Sequence, residues 1–334
     1  MGEVESITIR VSAADAAFDE AGYLSANPDV ARAVRAGRMK SGRAHFEKFG
    51  RAEGRSMRIA SGDLAALRAR KMARLMPLLR ADMTRVEQDG KLNFLTRELA
   101  AQSAIVDVEA VSGHGYDADV LELIRACADG LVLDCGAGRR DVYYANVVNF
   151  EIVDYDTTDV LGVGEALPFK DDSFDAVISI AVLEHVRDPF QCAREIARVL
   201  KPGGKLFCAM PFLQPVHGYP HHYFNATPQG LKRLFEDELE TREPVVTPAF
   251  HPVWALSWIL NSWARGLDAP TREKFETMTV ADLMRDPWPH MHEPFIARLS
   301  AEAQRELACG SVLRATKPTN SAFNRLRNLF GKRD

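Results

Sequence analysis

The chain has few cysteines, and the five it has (127, 135, 192, 208 and 309) include no Cys-x-x-Cys pair. An odd number without paired spacing argues against a disulfide framework or a cysteine zinc site, and predicts reduced thiols in a cytoplasmic protein. No apolar run reaches the roughly 18 residues that a membrane span needs. Residues 1–30 carry acids and no long apolar core, so no secretory signal is expected. Charge of one sign is also scarce. A net charge of −4 and a pI near 6.2 give no global attraction to nucleic acid.

What is present is length and ordinary apolar content. With 334 residues, 46% hydrophobic and 26% charged, the chain can bury one large core and a smaller one. Its organising stretch is Gly130-Leu131-Val132-Leu133-Asp134-Cys135-Gly136-Ala137-Gly138-Arg139-Arg140. Three apolar residues followed by Asp and Gly-x-Gly read as a buried parallel strand entering a tight turn. Further strands are expected at 147–153, 159–163, 176–180 and 205–209. Helices are expected at 117–128 and 188–200, and between the first two strands at most a short one over 141–146. The Asp188-Pro189 start and the Lys201-Pro202-Gly203-Gly204 stop bound the second helix. Alternation of this kind makes an α/β fold with a mostly parallel sheet.

Asp134-x-Gly136-x-Gly138, Leu167-Pro168-Phe169 with Ser173-Phe174-Asp175, Leu183-Glu184-His185-Val186, and Arg198 to Gly204 follow one another in a recognisable order. The series, over about residues 113–240, resembles the class I S-adenosylmethionine-dependent methyltransferases of the small-molecule group. The resemblance implies a Rossmann-like seven-stranded sheet whose last, antiparallel strand would be Gly310–Thr316. It also implies S-adenosylmethionine as cofactor, held at the methionine end by Asp134, Gly136 and Gly138. Glu151 would take the ribose hydroxyls, with Asp154 the second choice. Adenine would lie against Gly164, Glu165 and Ala166, and Ile180 and Ala181 would wall the methyl group. Val163 stands where the family often has an Asp beside the adenine. A dinucleotide fingerprint would need Gly at 141, where this chain has Asp141.

Methyl transfer to a hydroxyl gains from a base that titrates near neutrality, a role that suits histidine. Residues 210–225 carry His217, His221 and His222, the candidate catalytic residues, beyond the fifth strand. No carboxylate at ligand spacing accompanies them, so no metal is expected. For His185, packing or hydrogen bonding weighs as much as a role at the cofactor. The segment after the fourth strand has neither Asp/Asn-Pro-Pro-Tyr/Phe nor Pro-Cys, which disfavours base methylation of nucleic acid.

Three regions flank or extend this core. Residues 1–62 are expected to be a helical module, with Asn27-Pro28 as helix start. Tyr23-Leu24, Asn27 to Val30, Gly37, Ser41-Gly42, His45-Phe46, Phe49-Gly50 and Glu53 to Arg55 resemble a module found beside bacterial surface-polysaccharide enzymes. That implies a glycan acceptor and docking to polysaccharide-biosynthesis partners. Residues 63–112 read as linker helices with a basic face (68, 70, 71, 74, 80 and 85). That face is either solvated or in peripheral contact with an anionic or membrane surface. Within 113–334, residues from about 250 to 308 read as a helical insertion with Trp254 and Trp258 at i, i+4. The basic tail 317–334 reads as frayed. The resulting expectation is O-methylation of a sugar or lipid-linked glycan. The alternatives are an apolar or quinone-like acceptor, or a silent adaptor docking through 15–58 and 63–86.

Overall fold

A computed structural model describes residues 4–59, 63–105, 113, 115–218 and 221–314. Two compact units divide the chain, Met1–Pro252 and Val253–Asp334. In chain order the strands are β1 (Ser6–Thr8), β2 (Arg10–Ser12), β3 (Ser56–Arg58), β4 (Val86–Gln88), β5 (Lys91–Asn93), β6 (Val132–Cys135), β7 (Val142–Tyr144), β8 (Val147–Glu151), β9 (Val160–Leu161), β10 (Phe174–Ile180) and β11 (Leu200–Ala209). The helices used below are α1 (Glu20–Ala26), α2 (Pro28–Arg35), α3 (Gly42–His45), α4 (Leu64–Leu75), α5 (Arg97–Gln102), α6 (Ala118–Ala126), α7 (Pro189–Val199) and α8 (Pro228–Arg233).

The central sheet has seven strands in the order β11-β10-β6-β8-β9-β5-β4. Every pairing is parallel except that of β4 with β5. All residues of β6 and β8 are buried, as expected of strands covered on both faces. The strand number agrees with the sequence expectation, but two strands have a different origin. β4 and β5 form a hairpin inside the segment read as linker helices, and β5 pairs with β9. The cause is the two-residue Asp89-Gly90 turn, both members at positive φ (52° and 72°), which closes a tight hairpin. Gly310–Arg314 forms no strand. The last two residues of that expected strand, and the tail 317–334, lie outside the described residues.

Two further expectations change. The short helix foreseen over 141–146 is instead strand β7, paired antiparallel with β1. The sequence around Val142-Tyr143-Tyr144 is β-branched and aromatic, and an extended partner was available at the amino terminus. The basic face of α4 is only partly solvated: Arg70 and Arg74 are exposed, as expected, but Arg68 and Lys71 are not. Lys71 and Arg68 are buried against Asp159, with Lys71 Nζ at 2.8 Å and Arg68 Nε at 3.4 Å from its carboxylate. The Tyr143 hydroxyl also donates to Asp159, whose other oxygen accepts from the Asn149 backbone N–H at 3.0 Å. Arg70 pairs with Glu5, Arg80 with Asp82 and Arg85 with Glu87, while Arg74 donates to the carbonyls of Asp129 and Gly130. All six cations have intramolecular partners.

The amino-terminal segment packs α1, α2 and α3 around Tyr23, Val30, Phe46 and Met57. Pro28 opens α2 as expected, but Asn27 does not cap it. Its amide donates to the carbonyls of Tyr23 and Ser56 at 2.7 and 2.9 Å, tying α1 to β3. Gly50 is fixed by close approach, since a Cβ there would lie 2.0 Å from the Tyr23 hydroxyl oxygen. Gly50→Ala should therefore destabilise the protein by about 1–3 kcal/mol through overpacking. The Gly50→Ala/Tyr23→Phe double variant should recover most of that loss in a urea titration. In the carboxyl-terminal unit, Leu267, Phe275, Leu299 and Ala303 form a separate core. Trp263 donates from its ring nitrogen to the Phe295 carbonyl at 2.8 Å, and Trp258 to Glu306 at 3.1 Å.

Candidate active site

The parallel strands β6, β8, β9, β10 and β11 end at one edge of the sheet, where ligands of open α/β sheets bind. β6 ends in the glycine turn, with Gly136 at φ +85° and Gly138 at φ +61°, a backbone that L side chains resist. The N–H groups of Gly136 and Ala137 both donate to the Phe150 carbonyl, at 2.9 and 3.0 Å, clamping the turn to β8. Glu151, the last residue of β8, is buried beneath the turn. One carboxylate oxygen accepts from the Gly138 N–H at 2.6 Å and the other from the Ile152 N–H at 2.7 Å. Burial raises the Glu151 carboxyl pKa and these backbone bonds draw it back down.

Asp134 differs from expectation in its company. Its Oδ2 accepts from Arg140 Nε at 3.0 Å, from a terminal guanidinium nitrogen of the same residue at 2.7 Å, and from the Tyr116 hydroxyl. The Arg140 guanidinium lies 4.2 Å from the Tyr116 ring centroid. A protein cation thus already neutralises the acid that the sequence assigned to the cofactor's amino group. Oδ1 of Asp134 is nonetheless buried without a hydrogen-bond partner among the described residues. Arg140 closes the organising stretch and Tyr116 ends the loop before the first core helix, but sequence alone assigned neither a role at Asp134.

The remaining cofactor candidates divide. Asp154 is exposed and paired with Lys91 of β5, whereas Glu151 faces the turn. Gly164 is packed so closely that a Cβ would lie 2.5 Å from Cys192 Sγ. Glu165 accepts from the Arg187 N–H at 3.0 Å, ahead of α7. The Ala166 N–H closes a turn onto the Val163 carbonyl. Ile180 and Ala181 leave β10 half-buried. Ala181 is in the left-handed region, φ +54°, a strained conformation for a residue with a Cβ. The next residue, Val182, touches the glycine turn: a Cβ on Gly136 would fall 2.3 Å from its Cγ2.

Four residues past β10 stands Glu184, fully buried, with neither carboxylate oxygen hydrogen-bonded among the described residues. Burial pushes its pKa up to about 8. His185 Nε2 lies 3.7 Å and His217 Nε2 4.0 Å from Glu184 Oε1. Burial pushes the His185 pKa down to about 4 and lowers that of His217. The three candidate histidines are not equivalent. His217 faces Glu184. His222 accepts the His217 backbone N–H on Nδ1 at 3.0 Å and so positions it. His221 turns away, its Nε2 bonded to the Ala104 carbonyl at 3.0 Å. Glu184 is the residue that sequence reasoning passed over, though it sits in the quoted Leu183-Glu184-His185-Val186 motif.

A protein-family profile described as a methyltransferase domain matches residues 112–208. That stretch contains the glycine turn, Glu151, Ala181 and Glu184. Residues 112–208 are thus similar to methyltransferase domains. Among curated proteins, the demethylmenaquinone methyltransferase of Listeria welshimeri is 33% identical over 149 residues, covering 45% of this chain and 52% of that protein. A ubiquinone/menaquinone biosynthesis C-methyltransferase UbiE from Hahella chejuensis is 36% identical over 93 residues, 26% of this chain and 37% of that one. The solved structure of YcgJ from Bacillus subtilis aligns at 25% identity with a TM-score of 0.23, over 28% of this chain and 50% of that one. The chain thus spans about half or less of the length of these relatives. The methyltransferase domain is flanked by elements that the profile does not reach. β4 and β5 precede it, and the His217 loop follows it.

Proposed function

We propose that the protein is an S-adenosylmethionine-dependent methyltransferase that methylates an oxygen of a hydroxylated small molecule. The observation that supports an oxygen acceptor is Glu184 with His185 and His217 at the carboxyl edge of β10 and β11, two residues beyond the contact of Val182 with the glycine turn. The cofactor side suits its ligand. Asp134 and Glu151 against Arg140 leave one net negative charge for a ligand of one net positive charge, and Asp134 Oδ1 lacks a donor. Asp134, Gly136, Gly138 and Glu151 would hold it, with Gly164, Glu165 and Ala166 along one side and Ile180 and Ala181 at its reactive end. When bound, it supplies a methyl group on a sulfonium, open to in-line displacement.

This chain's residues then do three things. The glycine turn and Glu151 fix the cofactor's position, which supplies much of the acceleration in a displacement. The strained Ala181 carries the β10 exit to Val182, which touches the same glycine turn. Glu184, with a carboxyl pKa of about 8, can take the acceptor's hydroxyl proton near neutral pH. The relatives named above favour a quinone-like acceptor, and the C-methyltransferase among them points to carbon as the methylated atom, so the oxygen reading rests on the Glu184 cluster alone. A sugar hydroxyl rests on the resemblance of residues 15–58 alone.

Calorimetric titration with S-adenosylmethionine tests the cofactor. Micromolar binding is expected, weakened at least tenfold by Glu151→Ala through loss of the carboxylate under the turn. Methyl transfer from labelled cofactor to a hydroquinone, but not to nucleotide sugars, would support the quinol arm. The opposite pattern would support the glycan arm. Failure of folded protein to bind the cofactor would overturn the reading.

A further inference from the structure

We infer that Glu184, His185 and His217 form a binding site for one divalent transition-metal ion, placed to bind the acceptor's oxygen. The inference rests on the reading above for the metal's role, though not for its binding, and makes Glu184 a ligand of the ion in place of the base. Three features of the cluster carry it.

The first is composition and spacing. One ligand atom from each residue can be chosen so that all three lie within 4.8 Å of one another. Donors sharing a tetrahedral zinc at ordinary bond lengths are about 3.3 Å apart, so the 3.7 and 4.0 Å separations need only a small contraction. Two imidazoles and one carboxylate are a ligand set for Zn²⁺ and for Fe²⁺-type ions, with remaining positions left to water or substrate.

The second is the outer hydrogen bonding. His185 Nδ1 lies 2.7 Å from the His221 carbonyl and His217 Nδ1 lies 2.8 Å from the Pro215 carbonyl. A carbonyl only accepts, so each Nδ1 carries the proton and each Nε2 carries the lone pair directed at Glu184. This is how proteins orient metal-binding histidines. His222 adds a second tier by accepting the His217 N–H, with its own Nε2 near Asn225 Oδ1 at 2.9 Å. Gly218, at φ +79°, lets the chain lie on the His185 ring, where a Cβ would approach to 2.3 Å.

The third is the state of Glu184. A fully buried carboxyl with no donor on either oxygen is costly, and such exceptions in a folded protein call for an explanation. Neither histidine offers it an N–H, because both protons are on the far nitrogens. A cation between the three groups would satisfy the Glu184 carboxylate. An acceptor hydroxyl bound to that cation would lose its proton to solvent more readily and present an oxyanion to the methyl group.

The test is equilibrium dialysis of the untagged full-length protein against Zn²⁺, and separately Co²⁺ and Mn²⁺, with S-adenosylmethionine binding measured in parallel. One equivalent of Zn²⁺ or Co²⁺ per chain is expected, with Co²⁺ giving visible d–d absorption. Glu184→Gln and His217→Ala should weaken binding at least 100-fold, and His222→Ala about tenfold. All three should still bind S-adenosylmethionine, which shows that they are folded. Absence of stoichiometric binding for all three ions would overturn the inference and leave Glu184 as the base. Binding unchanged in both Glu184→Gln and His217→Ala would also overturn it. Metal binding without S-adenosylmethionine binding would uphold the site and overturn the methyltransferase reading instead.

Discussion

Gly136→Ala is expected to reduce affinity for S-adenosylmethionine at least 100-fold and methyl transfer in proportion. Two effects add at this residue. Its φ of +85° strains any residue with a Cβ, at about 1–2 kcal/mol. The Cβ would also sit 2.3 Å from Val182 Cγ2, well inside contact distance. Either the turn lifts away from the Phe150 carbonyl or Val182 retreats, and Val182 leads into Glu184. The expected stability loss is about 2–4 kcal/mol, read from urea unfolding. Adding Val182→Ala removes the collision and leaves the backbone strain, so stability should return only in part. Wild-type cofactor affinity in Gly136→Ala would refute the role given to the turn.

Asp159→Asn should cost about 3–5 kcal/mol of stability, the range for removing one member of a buried ion pair. Lys71 would be left buried without its anion, favouring loss of its proton, and the asparagine would offer one acceptor oxygen where Lys71, Arg68, Tyr143 and the Asn149 N–H now share two. Lys71 also gives a pH signature. Burial lowers its pKa from 10.5 to about 8, with Asp159 opposing. Its pKa is thus lower folded than unfolded, so between pH 8 and 10.5 the unfolded chain holds more protons. The Lys71 contribution to stability therefore rises with pH across that window, and is lost as pH falls back through 8. The full change is about 3 kcal/mol for a shift of this size. Thiols titrate in the same range, so the measurement is the wild type against Lys71→Met at each pH. The difference between the two should change by that amount, and a constant difference would refute the assignment.

How much of this was legible in the chain depended on whether the signal was local. The glycine turn, the five core parallel strands and α7 follow from apolar runs, Gly-x-Gly, and a Pro start with a Gly-Gly stop. All of these are short-range patterns. The β4–β5 hairpin had a local signal too, Asp89-Gly90, masked by the helical periodicity of the residues before it. Lys71 and Arg68 were read as a solvated face because their counter-charge, Asp159, lies about 90 residues away. The same blindness hid the metal-ligand set. Spacing within 210–225 offers no carboxylate, while Glu184 comes from the end of a different strand. Sheet topology, which no window of sequence displays, brings the two loops together. The pairing of Arg140 with Asp134 was missed because a cation two residues past a glycine turn looks like surface.

The hairpin at the sheet's edge also bears on how the protein is made. During synthesis β5 leaves the ribosome about 70 residues before β9, its parallel neighbour. At 5–20 residues per second, that is roughly 4–14 s in which the hairpin and α4 have no sheet to join. Over that interval Leu92 and Phe94, both destined for the core, have no core to enter, and Lys71 waits for Asp159. The interval is a window for chaperone capture or misassociation. It also means that a gene cut at the start of the matched domain would encode a sheet ending at β9, a two-residue strand with an open edge.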